Sequence, residues 1–190
     1  MTSPRKKKRA RRHTAAKPKS TWRVKAASGG PGELVGPPCV AERAEDIEEV
    51  RSMIEEGETE IATDELRYLL ADCHDLLEAH LLLGQLAVGE NDRPSDIELA
   101  RGHFGYAFTL GEKALAAAGA GVSLPGDRPA NAPWHEAARG LAWCLEKQGH
   151  SPMADRVAQT VRRADPTDPA EVTAMLDEMR SGGLPIVELG

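Results

Sequence analysis

Apolar residues recur at helical spacing along most of this chain, and that periodicity limits the folds open to it. From Ala44 to Met179 the larger aliphatic residues fall mainly three and four positions apart, in segments that end at glycine, proline or short polar runs. Such spacing puts apolar side chains on one face of an α-helix, whereas a half-buried strand requires alternation. The sequence therefore predicts an all-α fold with seven helices between residues 42 and 182.

Breaks in the apolar pattern set the predicted helix boundaries. Gly57 ends the first helix, and Ser95 or Asp96 is placed to cap the helix that follows a polar loop. Residues 119–133 contain three glycines and three prolines, so a long loop is expected there. The segment from Leu76 to Val88 is apolar nearly all round, which places it in the middle of the helical array.

Charge divides the chain into a basic tail and an acidic body. Residues 1–25 carry eleven basic side chains and no acid, whereas the other 165 residues carry 13 basic and 30 acidic ones. Residues 1–41 are also rich in Ser, Thr, Pro and Gly and offer little apolar surface, so a disordered tail and linker is predicted there. Residues 42–182 are the predicted helical repeat domain, and residues 183–190 are a carboxyl-terminal tail.

The basic run of the tail has the character of a polyanion-binding segment. Its residues are Arg5, Lys6, Lys7, Lys8, Arg9, Arg11 and Arg12. Lysine and arginine at this density contact phosphates without reading a sequence. The same run is also typical of a nuclear address in a eukaryote, or of a solubilising tail that docks loosely on the acidic segment at 42–65. These three interpretations stay open at the level of sequence.

The three cysteines, Cys39, Cys73 and Cys144, form no Cys-x-x-Cys pair, and their number is odd. A disulfide framework is therefore not expected, and Cys73 is interpreted as a packing residue in a reducing compartment. No apolar run follows the basic amino terminus as it would in a signal peptide, and no run approaches the length of a membrane span. We expect a cytoplasmic protein, or a nuclear one in a eukaryote, that contacts no membrane.

No enzyme motif is recognisable in the sequence. Gly29-Gly30-x-Gly32 lacks the Lys-Ser/Thr pair and the helix that follow a phosphate-binding loop. Cys73, His74 and His80 are potential metal ligands, but no second pair with ligand spacing accompanies them. A core cysteine and an interhelical histidine are the favoured interpretation. The chain is predicted not to be an enzyme, and no metal or cofactor is expected.

The predicted helices repeat in pairs, with small and large residues at fixed places. The third pair shows this best, as Ala138-x2-Leu141-Ala142-x2-Leu145-x3-Gly149-x4-Ala154-x3-Ala158-x2-Val161-x4-Pro166. This pattern resembles the helix–turn–helix unit of the tetratricopeptide repeat (TPR) family. The resemblance implies an α-solenoid of about three TPR-like hairpins plus a carboxyl-terminal helix, and it implies a protein–protein interaction scaffold. Strict periodicity fails, because extra residues separate the pairs.

The resemblance also implies a concave partner groove lined by the first helix of each hairpin. Its predicted residues are Glu48, Glu78, Leu81, Gln85, Arg139 and Trp143. Acids at the first hairpin and apolar residues further on favour a basic or amphipathic peptide as the partner.

Two alternatives to this groove accompany the prediction. The acids are otherwise merely solvated, and Trp143 either anchors a partner or packs beneath the loop at 119–133. The alternative function is a nucleic-acid- or ribosome-associated factor that acts through its basic tail.

Overall fold

The structure, a computed structural model, describes residues 21–26, 30–89 and 95–182. Within these ranges the chain is mostly helical, which confirms the predicted class, and a short two-stranded sheet precedes the helices. Strands β1 (Arg23–Ala26) and β2 (Gly32–Val35) pair in antiparallel register. The helices are α1 (Pro38–Glu42), α2 (Ala44–Glu55), α3 (Thr59–Asp72), α4 (Leu77–Val88), α5 (Ile97–Ala118), α6 (Ala132–Lys147), α7 (Ser151–Ala164) and α8 (Val172–Ser181).

Local sequence explains where these helices begin and end. Asp96 caps α5 as predicted, because its carboxylate accepts a hydrogen bond from Leu99 N at 2.9 Å. Gly57 and Gly149 follow α2 and α6 with φ of 84° and 76°, a left-handed conformation that favours glycine. A proline lies in the first turn of α6 and of α7, where its missing N–H costs no helical hydrogen bond.

Each helix from α2 to α8 packs against the next one along the chain. In addition, α4 contacts α6, and α6 contacts α8, which places these three helices side by side. Short connections join α2 to α3 and α6 to α7, as expected for helical hairpins. Contacts between consecutive helices are therefore supplemented by a second set that links α4, α6 and α8.

Helix α4 is buried on most sides and separates two hydrophobic cores. The amino-terminal core lies among α2, α3 and one face of α4, and it includes Ile47, Leu66 and Leu83. The carboxyl-terminal core lies among the other face of α4 and helices α5 to α8, and it includes Leu81 and Trp134. Burial on two faces is the physical reason for the nearly unbroken apolar sequence of α4.

Glycines let three helices close around the ring of Phe104 on α5. A Cβ atom at Gly84 of α4 or at Gly140 of α6 would lie 2.6 Å from that ring, so no larger residue fits without rearrangement. Gly111 on α5 is related in the same way to Trp134 on α6, at 2.3 Å. Close approach at small residues allows these helices to reach the packing density of a protein interior.

The β-hairpin is fixed to the carboxyl-terminal core by Asn131, which is 0% exposed. Its side-chain oxygen accepts a hydrogen bond from Leu34 N at 2.9 Å, and its nitrogen donates to Gly32 O and Pro125 O at 3.0 and 2.9 Å. One side chain thus satisfies three backbone groups that burial would otherwise leave unpaired. The hairpin and the loop before α6 therefore form one ordered unit.

The predicted lack of regular structure over residues 1–41 is wrong for part of that segment, since β1, β2 and most of α1 lie within it. Trp22, just before β1, donates a hydrogen bond from Nε1 to Asp75 O at 2.8 Å. The linker expected between the basic tail and the acidic helix α2 is therefore folded wherever the structure describes it. Composition did not reveal this, because the groups that stabilise the hairpin come from far along the chain. Residues 1–20 and 27–29 lie outside the described residues.

The expectation that no disulfide forms is also wrong. Cys39 in α1 is bonded to Cys73 at the end of α3, with their Cα atoms 5.8 Å apart. Cys73 is 1% exposed, so it is a core residue and a disulfide partner at once. Cys144 is the free, buried cysteine that makes the total odd. The inference of a reducing compartment depended on the absence of a disulfide and loses its basis.

Candidate functional site

A groove of about 1090 Å³ opens between α4, α6, α8 and the turn that joins α2 to α3. It crosses the boundary between the two cores, because Ile54 belongs to the amino-terminal core and Met175 to the carboxyl-terminal one. Its lining is mixed but includes many large apolar side chains. The lining residues are Ile54, Gly57, Thr59, Leu82, Gln85, Leu86, Val88, Gly89, Phe104, Glu136, Arg139, Gly140, Trp143, Met175, Glu178 and Met179.

The floor of the groove is rigid. Phe104 reaches it from α5, held between the two glycines that contact its ring, Gly84 and Gly140. Because neither glycine has room for a Cβ atom, Phe104 cannot shift towards α4 or α6 without loss of packing. An apolar floor of fixed shape is what a side chain of a partner needs in order to bind with little ordering cost.

Trp143 forms one wall of the groove and is half-buried. Lys147, one turn further along α6, places its Nζ atom 5.5 Å from the centre of the indole ring, within cation–π range. Met175 and Met179 lie on the facing helix α8. Tryptophan is the residue type most enriched in binding hot spots, and methionine adapts its shape to different partners.

The rim of the groove carries an excess of negative charge. Glu136 on α6 and Glu178 on α8 are exposed, and neither carboxylate has an ion-pair partner in the described ranges. Arg139 is already engaged, because its Nη1 atom donates to Ala170 O at 3.2 Å and lies 3.9 Å from Glu171 Oε2. A cationic group on a partner would therefore meet two unpaired carboxylates at this rim.

The six groove residues predicted from sequence are not all in one place. Gln85, Arg139 and Trp143 line the groove. Leu81 does not, because it is 1% exposed within the carboxyl-terminal core. Glu48 and Glu78 lie apart from this groove, where both approach Arg51, at 3.8 and 3.3 Å.

Several groove residues escaped the sequence analysis, notably Leu82, Leu86 and the two methionines of α8. Met175 and Met179 lie four residues apart on the apolar face of α8, and Met179 is only partly buried there. For α4 no pattern distinguishes the residues, since apolar side chains surround the helix. Only the packing of its neighbours decides that Leu81 is covered and that Leu86 borders a groove.

A second cavity, of about 560 Å³, lies beside a cluster of histidine and tyrosine side chains between α4 and α5. His80 Nδ1 and His103 Nδ1 are 3.1 Å apart, and His80 Nε2 is 3.1 Å from His74 O. The Nε2 atom of His80 must donate to that carbonyl, so its Nδ1 atom accepts from His103. His80 is thus the interhelical histidine that the sequence predicts.

Burial lowers the pKa of His80 to about 4 and also lowers the pKa of His103. Burial, with help from a hydrogen bond to Asp75, raises the pKa of Tyr106 to about 12. All three rings are therefore neutral near pH 7. In the part of the chain that the structure describes, no group of three or more His, Cys, Asp or Glu side chains is placed to hold a metal ion.

The predicted polyanion-binding residues, which fall between positions 5 and 12, lie outside the described residues, so their interpretation still rests on sequence alone. Among the helices within the described ranges, none has the length and apolar character needed to cross a membrane. Comparison of the chain with family models, with curated proteins and with solved structures finds no match in any of the three. The function must therefore be argued from the groove.

Proposed function

We propose that this protein is a protein–protein interaction scaffold, whose groove binds an amphipathic segment of a partner in the manner of a TPR-like array. The contacts between helices support the array. Helices α4, α6 and α8 lie side by side, and α3, α5 and α7 each pack against the one of these that follows in the chain. In such an array the first helices of successive hairpins line a shared concave surface. The groove described above lies on these helices.

The observation that carries the proposal is a preformed apolar groove with an unpaired acidic rim. Leu86, Trp143 and Met179 are only partly buried and offer apolar contact area, while Glu136 and Glu178 offer negative charge at the rim. An amphipathic helix places apolar anchors at i, i+3, i+4 and i+7 in such a groove and keeps its polar face at the rim. The rim charge favours lysine or arginine on that face. A basic amphipathic segment is therefore the partner of best fit.

Peptide binding tests this proposal directly. The probe is a fluorescein-labelled synthetic Leu/Lys helix of about four turns, with a Leu/Glu helix of the same pattern as its control. Fluorescence anisotropy should show that the basic peptide binds more tightly, with a difference that shrinks as salt screens the rim. Trp143→Ala should weaken binding of the Leu/Lys peptide by about thirtyfold, as expected for a hot-spot tryptophan.

A matched pair of methionine substitutions serves as the control. Met179 borders the groove, whereas Met153 on α7 is 43% exposed and is not among the groove residues. Met179→Ala should weaken binding, and Met153→Ala should leave it unchanged. If Met179→Ala and Trp143→Ala bind the Leu/Lys peptide as tightly as Met153→Ala and the wild type do, the groove is not the binding site.

A further inference from the structure

We infer that the outer edge of strand β1, the edge away from β2, is a second docking surface that binds an extended, acidic segment of a partner protein as a third strand. In this mode of recognition, main-chain hydrogen bonds supply affinity and alternate side chains supply specificity. No residue of the hairpin lines the groove, so this surface is independent of the function proposed for the groove. Its physical basis is the direction of the backbone groups of β1 and the placement of its charges.

The register of the hairpin decides which backbone groups of β1 point outward. In an antiparallel pair, residues that exchange hydrogen bonds alternate with residues whose N–H and C=O groups point away from the partner strand. Leu34 N donates to the side chain of Asn131 at 2.9 Å, and Gly32 N donates to a carbonyl of the loop before α6 at 2.8 Å. Both residues of β2 therefore point away from β1. Their partners in the register are Val24 and Ala26, whose backbone groups point outward as well.

The outer edge of β1 is open as far as the structure describes the chain. The sheet there has two strands, and no hydrogen bond joins the outward groups of Val24 or Ala26 to another described residue. Val24 packs against the carboxyl-terminal core, whereas Ala26 is exposed. Two N–H donors and two C=O acceptors thus stand in the order that a third strand requires.

Both charged side chains of β1 lie on the face opposite the core. Side chains alternate along a strand, so Arg23 and Lys25 project to the side away from Val24, and both are exposed. Neither cation belongs to an ion pair among the described residues. Glu33 lies opposite Lys25 in the register, but its carboxylate is paired with Arg128 at 2.9 Å. Two exposed cations, two positions apart, are therefore available to a partner.

A third strand would meet these cations at close range. If an added antiparallel strand bonds to Val24 and Ala26, the residues that it places opposite Arg23 and Lys25 form non-hydrogen-bonded pairs, with Cα atoms about 4.5 Å apart. Glutamate or aspartate at those two positions forms cross-strand ion pairs on the exposed face. The position between them faces the same side as Val24, next to the apolar core. The segment of best fit therefore alternates acidic and apolar residues.

Charge and hydrogen bonding disfavour two other occupants of this edge. A second copy of β1 would bring Arg23 and Lys25 against the same two residues, and like charges directly opposite each other are destabilising. Cations on an edge strand discourage self-pairing in this way. The phosphates of a nucleic acid would accept hydrogen bonds from the two N–H groups, but they have no donor for the two C=O groups. An acidic strand satisfies both kinds of group.

Amide hydrogen exchange of the full chain, followed by NMR, tests the inference. The probe is a synthetic eight-residue peptide that alternates glutamate and valine, with a lysine and valine peptide of the same pattern as its control. The Glu/Val peptide should slow exchange at the amides of Val24 and Ala26. The amides of Arg23 and Lys25 already bond to β2 and should change little. The Lys/Val peptide should leave all four unchanged, and added salt should weaken binding of the Glu/Val peptide.

Two substitutions separate the charge of the edge from its backbone. Lys25→Glu should weaken binding of the Glu/Val peptide about tenfold, because an attractive cross-strand pair becomes a repulsive one. Arg156→Glu makes the same change of charge on the exposed surface of α7, which packs on α6 and α8, and should bind as the wild type does. Ala26→Pro removes one outward N–H and keeps the bonds to β2, since an edge strand tolerates proline where the N–H faces solvent. It should weaken binding about threefold to tenfold.

The indole N–H of Trp22, which donates to Asp75 O, reports whether the hairpin of each variant is in place. If Ala26→Pro loses that signal, Lys25→Glu decides the test. The inference is overturned if the Glu/Val peptide does not bind, if it binds Lys25→Glu as tightly as Arg156→Glu, or if it protects amides elsewhere. Protection of the Val24 and Ala26 amides that rises with protein concentration, without peptide, would also overturn it, because two copies would then pair through β1. None of these results bears on the Leu/Lys peptide, whose binding tests the groove.

Discussion

The two halves of this molecule are held together by different means. Helices α1 to α3 pack through small and medium aliphatic residues and are joined to one another by the Cys39–Cys73 bond. Helices α5 to α8 interlock through aromatic rings set against glycines, such as Trp134 against Gly111, and the buried amide of Asn131 fixes the β-hairpin to this half. The first half depends on a covalent link, and the second depends on shape and on satisfied polar groups.

This difference between the halves explains which residues determine the shape of the groove. Phe104, Gly84 and Gly140 fix the α4, α5 and α6 side, whereas the Ile54 side belongs to the half that the disulfide holds. The width of the groove is therefore set at α4, the helix that both cores share. Substitutions on either face of α4 should show whether the two halves lose stability independently or together.

The largest expected effect comes from a matched pair of substitutions on α4. Leu81→Ala and Leu83→Ala each open a cavity in a buried site, Leu81 in the carboxyl-terminal core and Leu83 in the amino-terminal one. Each should lower the free energy of unfolding by about 2–5 kcal/mol. Chemical denaturation measures the loss for each variant.

Amide hydrogen exchange then shows which helices each substitution destabilises. Leu83→Ala should increase exchange mainly in α2 and α3, and Leu81→Ala mainly in α5 and α6. If both variants raise exchange equally across all helices, the two cores form one cooperative unit and the comparison between them breaks down.

The disulfide gives the next largest effect. It closes a loop between residues 34 positions apart, and reduction of such a bond should lower the free energy of unfolding by about 2–4 kcal/mol. Denaturation with and without dithiothreitol measures the change in the free energy of unfolding. On reduction, amide hydrogen exchange should increase first in α1 to α3 and only then in α5 to α8.

Cysteine variants control for other effects of the reductant. Cys39→Ser should make stability independent of dithiothreitol, while Cys144→Ala should keep the dependence, because Cys144 is free. Wild-type protein that is equally stable with and without reductant would show that the bond does not hold the amino-terminal half.

The smallest expected effect, counted per unit of pH, is a dependence of stability on pH. Burial lowers the pKa of His80 to about 4, below the ordinary value of 6.5 that an unfolded chain displays. The unfolded state therefore binds the proton first, so stability is complete above about pH 6.5 and falls as the pH drops towards 4. This one group contributes a slope of at most about 1.4 kcal/mol per pH unit. His80→Phe should flatten the curve between pH 6.5 and 4, and an unchanged slope would mean that His80 is not the group responsible.

Local pattern was enough to predict most of the helices. The glycine at 57, the polar loop before Asp96 and the apolar segment ending at Val88 each mark a boundary that the structure reproduces within a few residues. These signals work because helix ends depend on residues close in sequence, through capping and left-handed turns.

Features that depend on distant contacts were not predictable in the same way. The hairpin consists of two four-residue strands, and its stabilising partner, Asn131, lies 97 residues after Leu34. Likewise, nothing near Cys39 indicates that Cys73 will come within bonding distance. The groove was predicted only in part, because the position of a helical residue relative to its neighbours depends on packing angles that periodicity does not contain.

The contacts of Asn131 also set the order in which the chain can fold. Leu34 N and Gly32 O acquire their buried partner only when residue 131 is in place, so the first strands to be made are among the last to be secured. At a synthesis rate of 5–20 residues per second, those 97 residues imply a delay of roughly 5–20 s. During that interval Leu34 N and Gly32 O lack their buried partner, which makes the segment before α1 the vulnerable part of the nascent chain.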